Sequence, residues 1–429
     1  MSRTPPVFWA RGCPITRGRS PWTGWRGVSW SPSPISSPRS WSPIRRVPRR
    51  CGRPGGGCAP CGRRSLARRE TVVARLGEQP LDWERLLGRP VIRFAPEVLR
   101  PAVAGRRVLV TGAGGSLGRA LVRWLVAAEP AALVLLDHHE PSLFQLRQAV
   151  GAVPVPCRFV LADVRDRVRL ERLLTRERIA VVFHLAAYKH VTSGEENPEA
   201  VVEVNVLGTL RLLEAAALAG VERFVYPSTD KAVRPPSLYG ATKRLVELVL
   251  RARAQAGLGP PAVAVRLVNV LGSQGSVIEI FLQQIMAGQP LSLTDPAMRR
   301  YWITEDEAVG LLLVAAWLRE SGPLVLDLGE PVPLVEIARR LWRALGREGE
   351  PPLRVVGPRP GERLVEELTY PDERLRPTAV PGVRAVVAAS SPPAGLLAAL
   401  AALERDLMDL APADLRRRLF ALLPTEVTV

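Results

Sequence analysis

Short apolar segments alternate with longer amphipathic segments from about residue 105 onward. The apolar segments predict buried strands at Arg107–Thr111, Ala132–Leu136, Arg158–Leu161, Ala180–Leu185, Arg223–Tyr226 and Ala262–Leu267. Strands that are apolar throughout are typical of a parallel sheet with both faces covered, and the amphipathic segments between them predict the covering helices. The pattern therefore predicts an α/β fold, with a doubly wound parallel sheet over residues 105–268.

The rest of the chain is less regular. Residues 269–390 predict a smaller C-terminal domain that binds substrate, residues 391–429 predict C-terminal helices, and residues 71–104 are interpreted as a linker. Residues 1–70 are rich in Arg, Pro, Ser, Gly and Trp without any period, which predicts a disordered, low-complexity tail. One hypothesis is that much of this tail is not a natural functional segment.

The formal net charge of +18 comes mainly from that tail. Fifteen of the 59 Lys and Arg residues, but only one of the 41 acidic residues, lie before residue 71, so the body predicts no nucleic-acid surface. No apolar run reaches the roughly 18 residues that cross a bilayer. Cys157 is the one Cys of the body, which is typical of a reducing cytoplasm. Cys51, Cys58 and Cys61 lack a clear fourth zinc ligand, so we expect a cytoplasmic protein without a membrane span or a metal site.

A glycine-rich turn follows the first predicted strand, with the sequence Thr111-Gly112-Ala113-Gly114-Gly115-Ser116-Leu117-Gly118. Glycine tolerates the sharp turn, the close approach to a pyrophosphate and the tight packing of helix on strand that such a site needs. The helix that begins at Ser116 and Leu117 supplies N–H donors and a positive dipole end to the phosphates. In this context the spacing of Gly112, Gly115 and Gly118 predicts a Rossmann-type dinucleotide site.

Acidic residues follow the second and third predicted strands. Asp137 can accept hydrogen bonds from a ribose hydroxyl and repel a 2′-phosphate, which favours NAD over NADP, but it can equally cap the turn at residues 138–140. Asp163 has two comparable interpretations: a contact to the adenine amino group, or the N-cap of the next helix.

Five further residues predict acid–base chemistry. Tyr239 and Lys243 lie four residues apart on a predicted helix and so share a face, and a nearby ammonium lowers a phenol's pKa toward that of a general base. Thr229, Asp230 and Lys231 follow the fifth predicted strand, at the edge where open α/β sheets bind ligands. Only three of the 59 basic residues are lysines, and all lie near these motifs: Lys189, Lys231 and Lys243.

Seven segments carry these and other polar residues: His184-Leu-Ala-Ala-Tyr-Lys-His190, Glu195-Glu-Asn-Pro198, Asn205-Val-Leu-Gly-Thr209, Ser228-Thr-Asp-Lys-Ala232, Tyr239-Gly-Ala-Thr-Lys-Arg244, Asn269-Val-Leu-Gly-Ser273 and Arg359-Pro-Gly-Glu362. Together they resemble the CapD-like polysaccharide-biosynthesis proteins, the UDP-N-acetylglucosamine 4,6-dehydratases of the extended short-chain dehydrogenase type. The Asp-Lys pair at residues 230–231 separates this branch from the dTDP-glucose dehydratases, which carry Asp-Glu there.

The resemblance implies a homo-oligomer that binds NAD and a UDP-sugar. It implies that Tyr239 takes the proton of the sugar 4-hydroxyl during oxidation at C4, with Thr229 on the C4 oxygen and Lys243 on the nicotinamide ribose. A neutral Lys231 then removes the C5 proton, and a protonated Asp230 protonates the leaving C6 hydroxyl before hydride returns to C6. Further cofactor contacts are implied at Val164 and Ala186, and substrate contacts at Lys189, His190, Asn269, Arg300 and Arg359.

Two alternatives stay open. A UDP-sugar 4-epimerase or reductase needs the cofactor site and Tyr239 but not Lys231. A non-catalytic NAD-binding scaffold, held to nucleic acid by the Arg-rich tail, would not need Thr229, Asp230, Lys231, Tyr239 and Lys243 together.

Overall fold

Residues 81–424 are described by the computed structural model, apart from residues 274, 321, 359, 360 and 389. All of them fall in one compact unit. The strands, in chain order, are β1 (Arg107–Thr111), β2 (Ala132–Asp137), β3 (Cys157–Leu161), β4 (Val181–His184), β5 (Arg223–Thr229), β6 (Ala262–Leu267), β7 (Asn269–Val270), β8 (Leu291–Leu293), β9 (Arg299–Arg300), β10 (Trp302–Ile303), β11 (Leu324–Leu326), β12 (Val332–Pro333), β13 (Leu353–Val355), β14 (Glu373–Pro377) and β15 (Val383–Ala388). The predicted tail at residues 1–70 lies outside the described residues.

The helices connect these strands. In chain order they are α1 (Trp83–Leu87), α2 (Pro96–Leu99), α3 (Ser116–Ala127), α4 (Glu140–Val150), α5 (Arg167–Glu177), α6 (Val191–Glu196), α7 (Pro198–Val202), α8 (Thr209–Leu218), α9 (Leu238–Gln255), α10 (Val277–Met286), α11 (Glu305–Trp317), α12 (Leu334–Ala344), α13 (Leu396–Asp406) and α14 (Pro412–Ala421). None of the helices in the described part of the chain combines the length and apolar character needed to cross a membrane.

Nine strands form the central sheet, in the order β14-β15-β11-β6-β5-β4-β1-β2-β3. The strands from β11 to β3 are parallel, whereas β15 runs antiparallel to both β11 and β14. The strand order reverses at β1, which pairs with β2 on one side and β4 on the other. A doubly wound sheet opens a ligand crevice at such a reversal, beside the carboxyl ends of its strands. The predicted Rossmann-type α/β fold is confirmed.

The two faces of the sheet are covered by different helices. Val108 and Val110 of β1 pack with α3 and α11, whereas Leu109 packs with α5, α8 and α9 on the opposite face. This alternation follows from the two-residue period of a strand, and burial of both faces explains why the strand is apolar throughout.

The chain outside the predicted sheet differs from the expected domain boundaries. Part of the segment 269–390 returns to the central sheet as β11, β14 and β15, so this segment is not a separate domain. Within the expected linker, Leu86 and Leu87 pack against α10 and α12, and Leu99 packs against the core that α11 shares with the sheet. The physical reason is burial of apolar side chains, which ties these residues to the folded body.

The helical segment that begins at Pro198 is irregular. Residues 203–208 form a π-helical segment between α7 and α8, and Asn205 lies within it. Such bulges often occur at functional sites. Here Asn205 turns inward: its Oδ1 accepts from the N–H of Tyr188 (2.9 Å) and its Nδ2 donates to the carbonyl of Tyr188 (2.9 Å). The bulge therefore holds the loop that follows β4.

Candidate active site

The glycine turn lies between β1 and α3 as predicted. Gly112 has a φ of +66°, and a Cβ there would lie 2.7 Å from the backbone nitrogen of Ala186. A Cβ at Gly118 would lie 2.4 Å from the carbonyl oxygen of Gly112. Both positions therefore require glycine, the first for backbone conformation and the second for packing of helix on turn.

The first turn of α3 is open to an anion. Gly115 is its N-cap, and no side chain of the described residues caps it. The N–H groups of Ser116, Leu117 and Gly118 lie at this uncapped end, where backbone donors and the helix dipole favour negative charge. This is the geometry that a dinucleotide pyrophosphate requires.

Asp137 ends β2 against the same turn. Its Oδ2 accepts from the N–H of Gly114 and its Oδ1 from the N–H of His139, both at 2.9 Å. The turn-capping interpretation is therefore correct, although the N-cap of α4 itself is His139. The carboxylate remains beside the glycine turn, so a ribose contact stays a prediction.

Of the other predicted cofactor residues, Ala186 lies against this turn. Asp163 forms an ion pair with Arg165 (2.7 Å), and its interpretation as a helix N-cap is wrong because Asp166 caps α5. Val164 is buried, close to Gly208 of the π-helical segment. Ala186 donates its N–H to Thr111 Oγ1 (3.3 Å).

A buried histidine joins the carboxyl ends of β1 and β4. His184 Nδ1 lies 2.7 Å from Thr111 Oγ1, and its Nε2 lies 2.9 Å from Thr209 Oγ1. Thr209 donates its hydroxyl proton to the carbonyl of Asn205 (2.7 Å), so its oxygen accepts from Nε2–H and Nδ1 is left to accept from Thr111. Burial lowers the pKa of His184 to about 3, with a smaller contribution from the charge of Lys243. His184 therefore stays neutral and supports the floor of the site.

Thr229, Asp230 and Lys231 lie together where β5 ends. The strand runs through Thr229, three residues beyond the predicted end at Tyr226, and residues 230–232 then form a tight helical turn. Asp230 Oδ1 accepts from the Thr229 hydroxyl (2.8 Å), from the Lys231 N–H (2.9 Å) and from Lys231 Nζ (3.0 Å). Asp230 Oδ2 is also buried, but it has no hydrogen-bond partner among the described residues.

Tyr239 faces this turn from the start of α9. Ser237 caps the helix by accepting from the N–H of Gly240 (3.2 Å). A Cβ at Gly240 would lie 2.1 Å from the carbonyl oxygen of Lys231, so only glycine lets the helix approach the Asp230–Lys231 turn this closely.

The environment of Tyr239 differs from the sequence prediction. Burial raises the pKa of Tyr239 to about 12, while the charge of Lys231 and a hydrogen bond with Thr229 act in the opposite direction. Lys243 was expected to lower this pKa, but its Nζ instead donates to the carbonyl of Pro227 (2.8 Å) and lies 4.5 Å from the ring centroid of Tyr226. The ammonium that acts on Tyr239 is therefore Lys231. Burial lowers the pKa of Lys243 itself to about 7.

Lys231 is charged in this arrangement. Partial burial acts to lower its pKa, but the carboxylates of Asp230 and Glu366 outweigh burial and raise the pKa above its ordinary value. The prediction of a neutral Lys231 beside a protonated Asp230 thus requires a proton to move between them, across the 3.0 Å that separates Nζ from Oδ1.

Glu366 was missed by the sequence analysis. Its side chain is only 4% exposed, and its Oε1 lies 3.8 Å from Lys231 Nζ and 3.8 Å from an Nη of Arg300. It lies in an irregular segment between β13 and β14, so no periodic pattern marks it. The one signal was its position four residues after the Arg359-Pro-Gly-Glu362 motif.

The predicted substrate residues are spread around the site. Lys189 and His190 lie between β4 and α6, and a Cβ on Gly275 would lie 3.1 Å from the His190 ring. Asn269 Nδ2 donates to the carbonyl of Tyr301 (3.1 Å). Arg300 donates to the carbonyls of Arg299, Arg363 and Leu364, at 2.7 to 3.1 Å. Its diphosphate contact stays a prediction, and Arg359 lies outside the described residues.

Among the described residues, no group of three or more His, Cys, Asp or Glu side chains could hold a metal ion. The cysteine cluster at Cys51, Cys58 and Cys61 lies outside them.

The fold and the site define a protein of the extended short-chain dehydrogenase class. Residues 108–388 match the family described as "Polysaccharide biosynthesis protein". The chain belongs to this polysaccharide biosynthesis protein family.

Several curated proteins are similar to the chain. The probable polysaccharide biosynthesis protein EpsC of Bacillus subtilis is 38% identical over 351 residues, which cover 80% of this chain and 57% of that protein. The capsular polysaccharide biosynthesis protein CapD of Staphylococcus aureus is 39% identical, over 68% of this chain and 50% of that protein. The chain thus spans about half the length of these two relatives. An inverting UDP-N-acetylglucosamine 4,6-dehydratase of Campylobacter jejuni is 30% identical, over 62% of this chain and 78% of that protein.

Two solved structures are similar as well. Pen from Bacillus thuringiensis aligns with a TM-score of 0.61 and 28% identity, over 67% of this chain and 88% of that chain. The dTDP-glucose 4,6-dehydratase DesIV from Streptomyces venezuelae, with NAD and TYD bound, aligns with a TM-score of 0.53 and 29% identity, over 61% and 88% of the two chains.

Proposed function

We propose that the chain catalyses the NAD-dependent dehydration of a UDP-N-acetylhexosamine to a UDP-4-keto-6-deoxy sugar. The observation that carries this proposal is the acid–base pair of Asp230 and Lys231, with Nζ and Oδ1 3.0 Å apart, in the environment of Tyr239. An acid and a base side by side are what elimination of water from adjacent carbons needs. The similarity to the Campylobacter jejuni dehydratase supports the same reaction.

The residues of the glycine turn fit NAD. Gly112 and Gly118 let the turn fold closely against α3 and the end of β4, and the uncapped first turn of α3 supplies N–H donors for a pyrophosphate. The carboxylate of Asp137 beside the turn favours a free ribose hydroxyl over a 2′-phosphate, and therefore NAD over NADP. Bound NAD supplies a hydride acceptor and, in its oxidised form, a positive charge.

Tyr239 and Thr229 serve the oxidation at C4. The free site holds Tyr239 protonated, because burial raises its pKa to about 12. A further positive charge beside the phenol lowers its pKa, in the same direction as Lys231, so that Tyr239 becomes the base for the sugar 4-hydroxyl once the site is filled. Thr229, which shares a hydrogen bond with Tyr239, orients the C4 oxygen.

Asp230 and Lys231 serve the elimination. Transfer of one proton from Lys231 Nζ to Asp230 converts the ion pair into a neutral amine and a carboxylic acid. The amine removes the C5 proton, which the C4 ketone has made acidic, and the acid protonates the departing C6 hydroxyl. The buried Oδ2 of Asp230 lacks a partner among the described residues, which fits a carboxyl oxygen kept for the substrate. The elimination leaves the pair charged, as it was at the start. The 6-deoxy product would be complete when the hydride taken from C4 returns to C6 and C5 receives a proton that has exchanged with solvent.

The test is incubation with UDP-N-acetylglucosamine in deuterated water, followed by mass spectrometry and NMR. We expect the product to be lighter by one water and to carry one deuterium from solvent at C5. If no UDP-N-acetylhexosamine loses water, the proposal is wrong. Lys231→Ala separates the main alternative, a UDP-sugar 4-epimerase, because an epimerase would keep its activity whereas elimination would stop.

A further inference from the structure

A buried carboxylate outside the predicted set lies against the acid–base pair. Glu366 reaches the site from the segment between β13 and β14, and neighbouring contacts fix this segment. Arg299 donates its N–H to the carbonyl of Leu364 (2.8 Å), and Arg300 donates to the carbonyl of Arg363 (2.7 Å). On the other side of Glu366, Glu367 forms an ion pair with Arg234. The backbone around Glu366 is therefore anchored to β9 and to the loop that carries Lys231.

Glu366 does not form a hydrogen bond with Lys231, because Oε1 and Nζ are 3.8 Å apart, but it forms an ion pair with it. Asp230 lies closer, at 3.0 Å. The ammonium of Lys231 therefore has two carboxylates around it, one from the strand end and one from the C-terminal part of the chain.

We propose that Glu366 is a positioning residue for Lys231: together with Asp230 it holds the amine in the site and stabilises the ammonium that forms when Lys231 takes the C5 proton. This inference rests on the proposed dehydratase function. In the elimination, the C5–H bond breaks and its proton passes to Nζ, the C5–C6 double bond forms, and the C6–O bond breaks as Asp230 donates its proton. Lys231 gains a positive charge in this step, and a fixed carboxylate nearby favours that gain.

Several other charged or titratable groups face the same point. Arg300 opposes the carboxylates by acting to lower the pKa of Lys231, and Arg363 acts on Glu366. The charges of Lys231 and Asp230 act in opposite directions on the pKa of Tyr239. The charge of Asp230 acts to raise the pKa of Tyr301. Burial is the largest influence on Glu366 and raises its pKa, while Lys231 acts to lower it. The effect of Glu366 must therefore be measured on Lys231 itself.

The three lysines of the chain make that measurement direct. Trace acetylation with acetic anhydride modifies only neutral amines, so at fixed pH the rate at Lys231, read by mass spectrometry, reports its neutral fraction. Glu366→Gln keeps the size of the side chain and removes its charge. We expect the rate at Lys231 to rise about tenfold or more, which corresponds to a pKa lower by at least about one unit.

Two controls separate the effect of the Glu366 charge on Lys231 from a general loosening of the cleft. Glu367→Gln removes the charge of the next carboxylate of the same segment, which is 39% exposed, while the amide oxygen can still accept a hydrogen bond from Arg234 and keep the segment in place. It should leave the Lys231 rate within about twofold of the wild type. Lys243 is an internal reference, because a loosened cleft would raise its rate as well. An unchanged Lys231 rate in Glu366→Gln, or an equal rise at Lys243, overturns the proposal.

Turnover gives a second readout. In Glu366→Gln, absorbance of reduced cofactor should still appear on mixing with substrate. At a pH where the amine is neutral in both proteins, deuterium exchange at C5 should be slower, because the less basic amine removes the proton more slowly. The pH at which C5 exchange begins should move down, because the less basic amine is neutral at lower pH. Glu366→Asp, which keeps the charge, should recover part of the exchange rate.

Equal loss in the oxidation and the exchange would indicate a merely structural role and overturn the proposal. If the wild type dehydrates no UDP-sugar, the proposed function fails, while the acetylation result still decides whether Glu366 acts on Lys231.

Discussion

Lys243 is a buried lysine whose charge the fold disfavours. Burial lowers its pKa from the ordinary 10.5 to about 7. The free-energy cost of burying this charge is present in full below pH 7. It disappears as pH rises toward 10.5, where the unfolded chain also loses the proton. Relative to the wild type, Lys243→Met should therefore gain about 3 kcal/mol more in free energy of unfolding at about pH 6.5 than at about pH 9.5. Urea unfolding followed by circular dichroism measures both values.

Lys231→Met is the matched comparison. The neighbouring carboxylates raise the pKa of Lys231, so its charge stabilises the fold at both pH values and its removal should bring no gain at the lower one. If Lys243→Met shows the same difference from the wild type at both pH values, its amine is not held at a lowered pKa.

Some residues of the candidate site were predictable from the sequence. Thr229, Asp230 and Lys231 are adjacent in sequence, so their proximity needed only a correctly placed strand end. The spacing of Tyr239 and Lys243 correctly gave a shared helix, but it could not show that the amine of Lys243 points to the carbonyl of Pro227. Glu366 was out of reach, because its position depends on a backbone anchored by residues 66 positions or more away in sequence, such as Arg299 and Arg300.

The approach of α9 to the turn after β5 is the contact between elements that brings Tyr239 into the site. It depends on Gly240, whose missing side chain leaves room for the carbonyl of Lys231. Gly240→Ala should push the start of α9 away, with a loss of about 1–3 kcal/mol in stability, as for other overpacked sites. Because displacement of reacting groups by about 1 Å can cost 100-fold in rate, we expect kcat to fall by about that factor. Turnover and thermal unfolding measure the two effects.

Gly194→Ala is the control for that substitution. A Cβ on Gly194 would lie 3.7 Å from the nitrogen of Tyr239, which is ordinary van der Waals contact, so the same methyl group is tolerated. We expect kcat within about twofold of the wild type, because the methyl group displaces nothing. Equal losses in both variants would mean that the close packing at Gly240 does not set the position of Tyr239.

The elements themselves followed the sequence pattern where burial was uniform. Strands β1 and β6 have the predicted bounds, because each is a short, largely apolar segment that is buried in the middle of the sheet. Local irregularity was not predictable in the same way: residues 203–208 are π-helical, and the inward hydrogen bonds of Asn205 lie in this segment. Strand β14 was missed because four of its five residues are exposed and it has no apolar run. Strand β15 was missed because its apolar residues are few and are interrupted by Arg384.

The largest departure from the sequence prediction concerns how the C-terminal part joins the rest of the molecule. Two arginines and two glutamates form a buried network across that junction. Arg266 of β6 donates to both carboxylate oxygens of Glu247 on α9 and of Glu373 on β14, and Arg244 pairs with both glutamates. Ser228, next to Thr229, donates its hydroxyl to Glu247 (2.6 Å). The network therefore links the end of β5 to β14 at the edge of the sheet.

Removing one member of this network should unfold the molecule more easily, and in a pH-dependent way. Although burial opposes it, hydrogen bonding and the charge of Arg266 lower the pKa of Glu373 from 4.5 to about 2. The stability that the ionised Glu373 adds to the fold is thus present above pH 4.5 and is lost as pH falls toward 2. Glu373→Gln leaves two buried arginines with one glutamate, which should cost about 3 kcal/mol in free energy of unfolding at neutral pH.

The deficit should shrink to about 1 kcal/mol near pH 3, because protonation removes the same charge from the wild type. Urea unfolding at both pH values measures it, and Glu350→Gln is the control, since Glu350 is 60% exposed and pairs with Arg339 at the surface. That variant should differ from the wild type by less than about 0.5 kcal/mol at either pH. A Glu373→Gln deficit that stays constant with pH would mean that the lost packing, not the charge of Glu373, holds the C-terminal strands to the sheet.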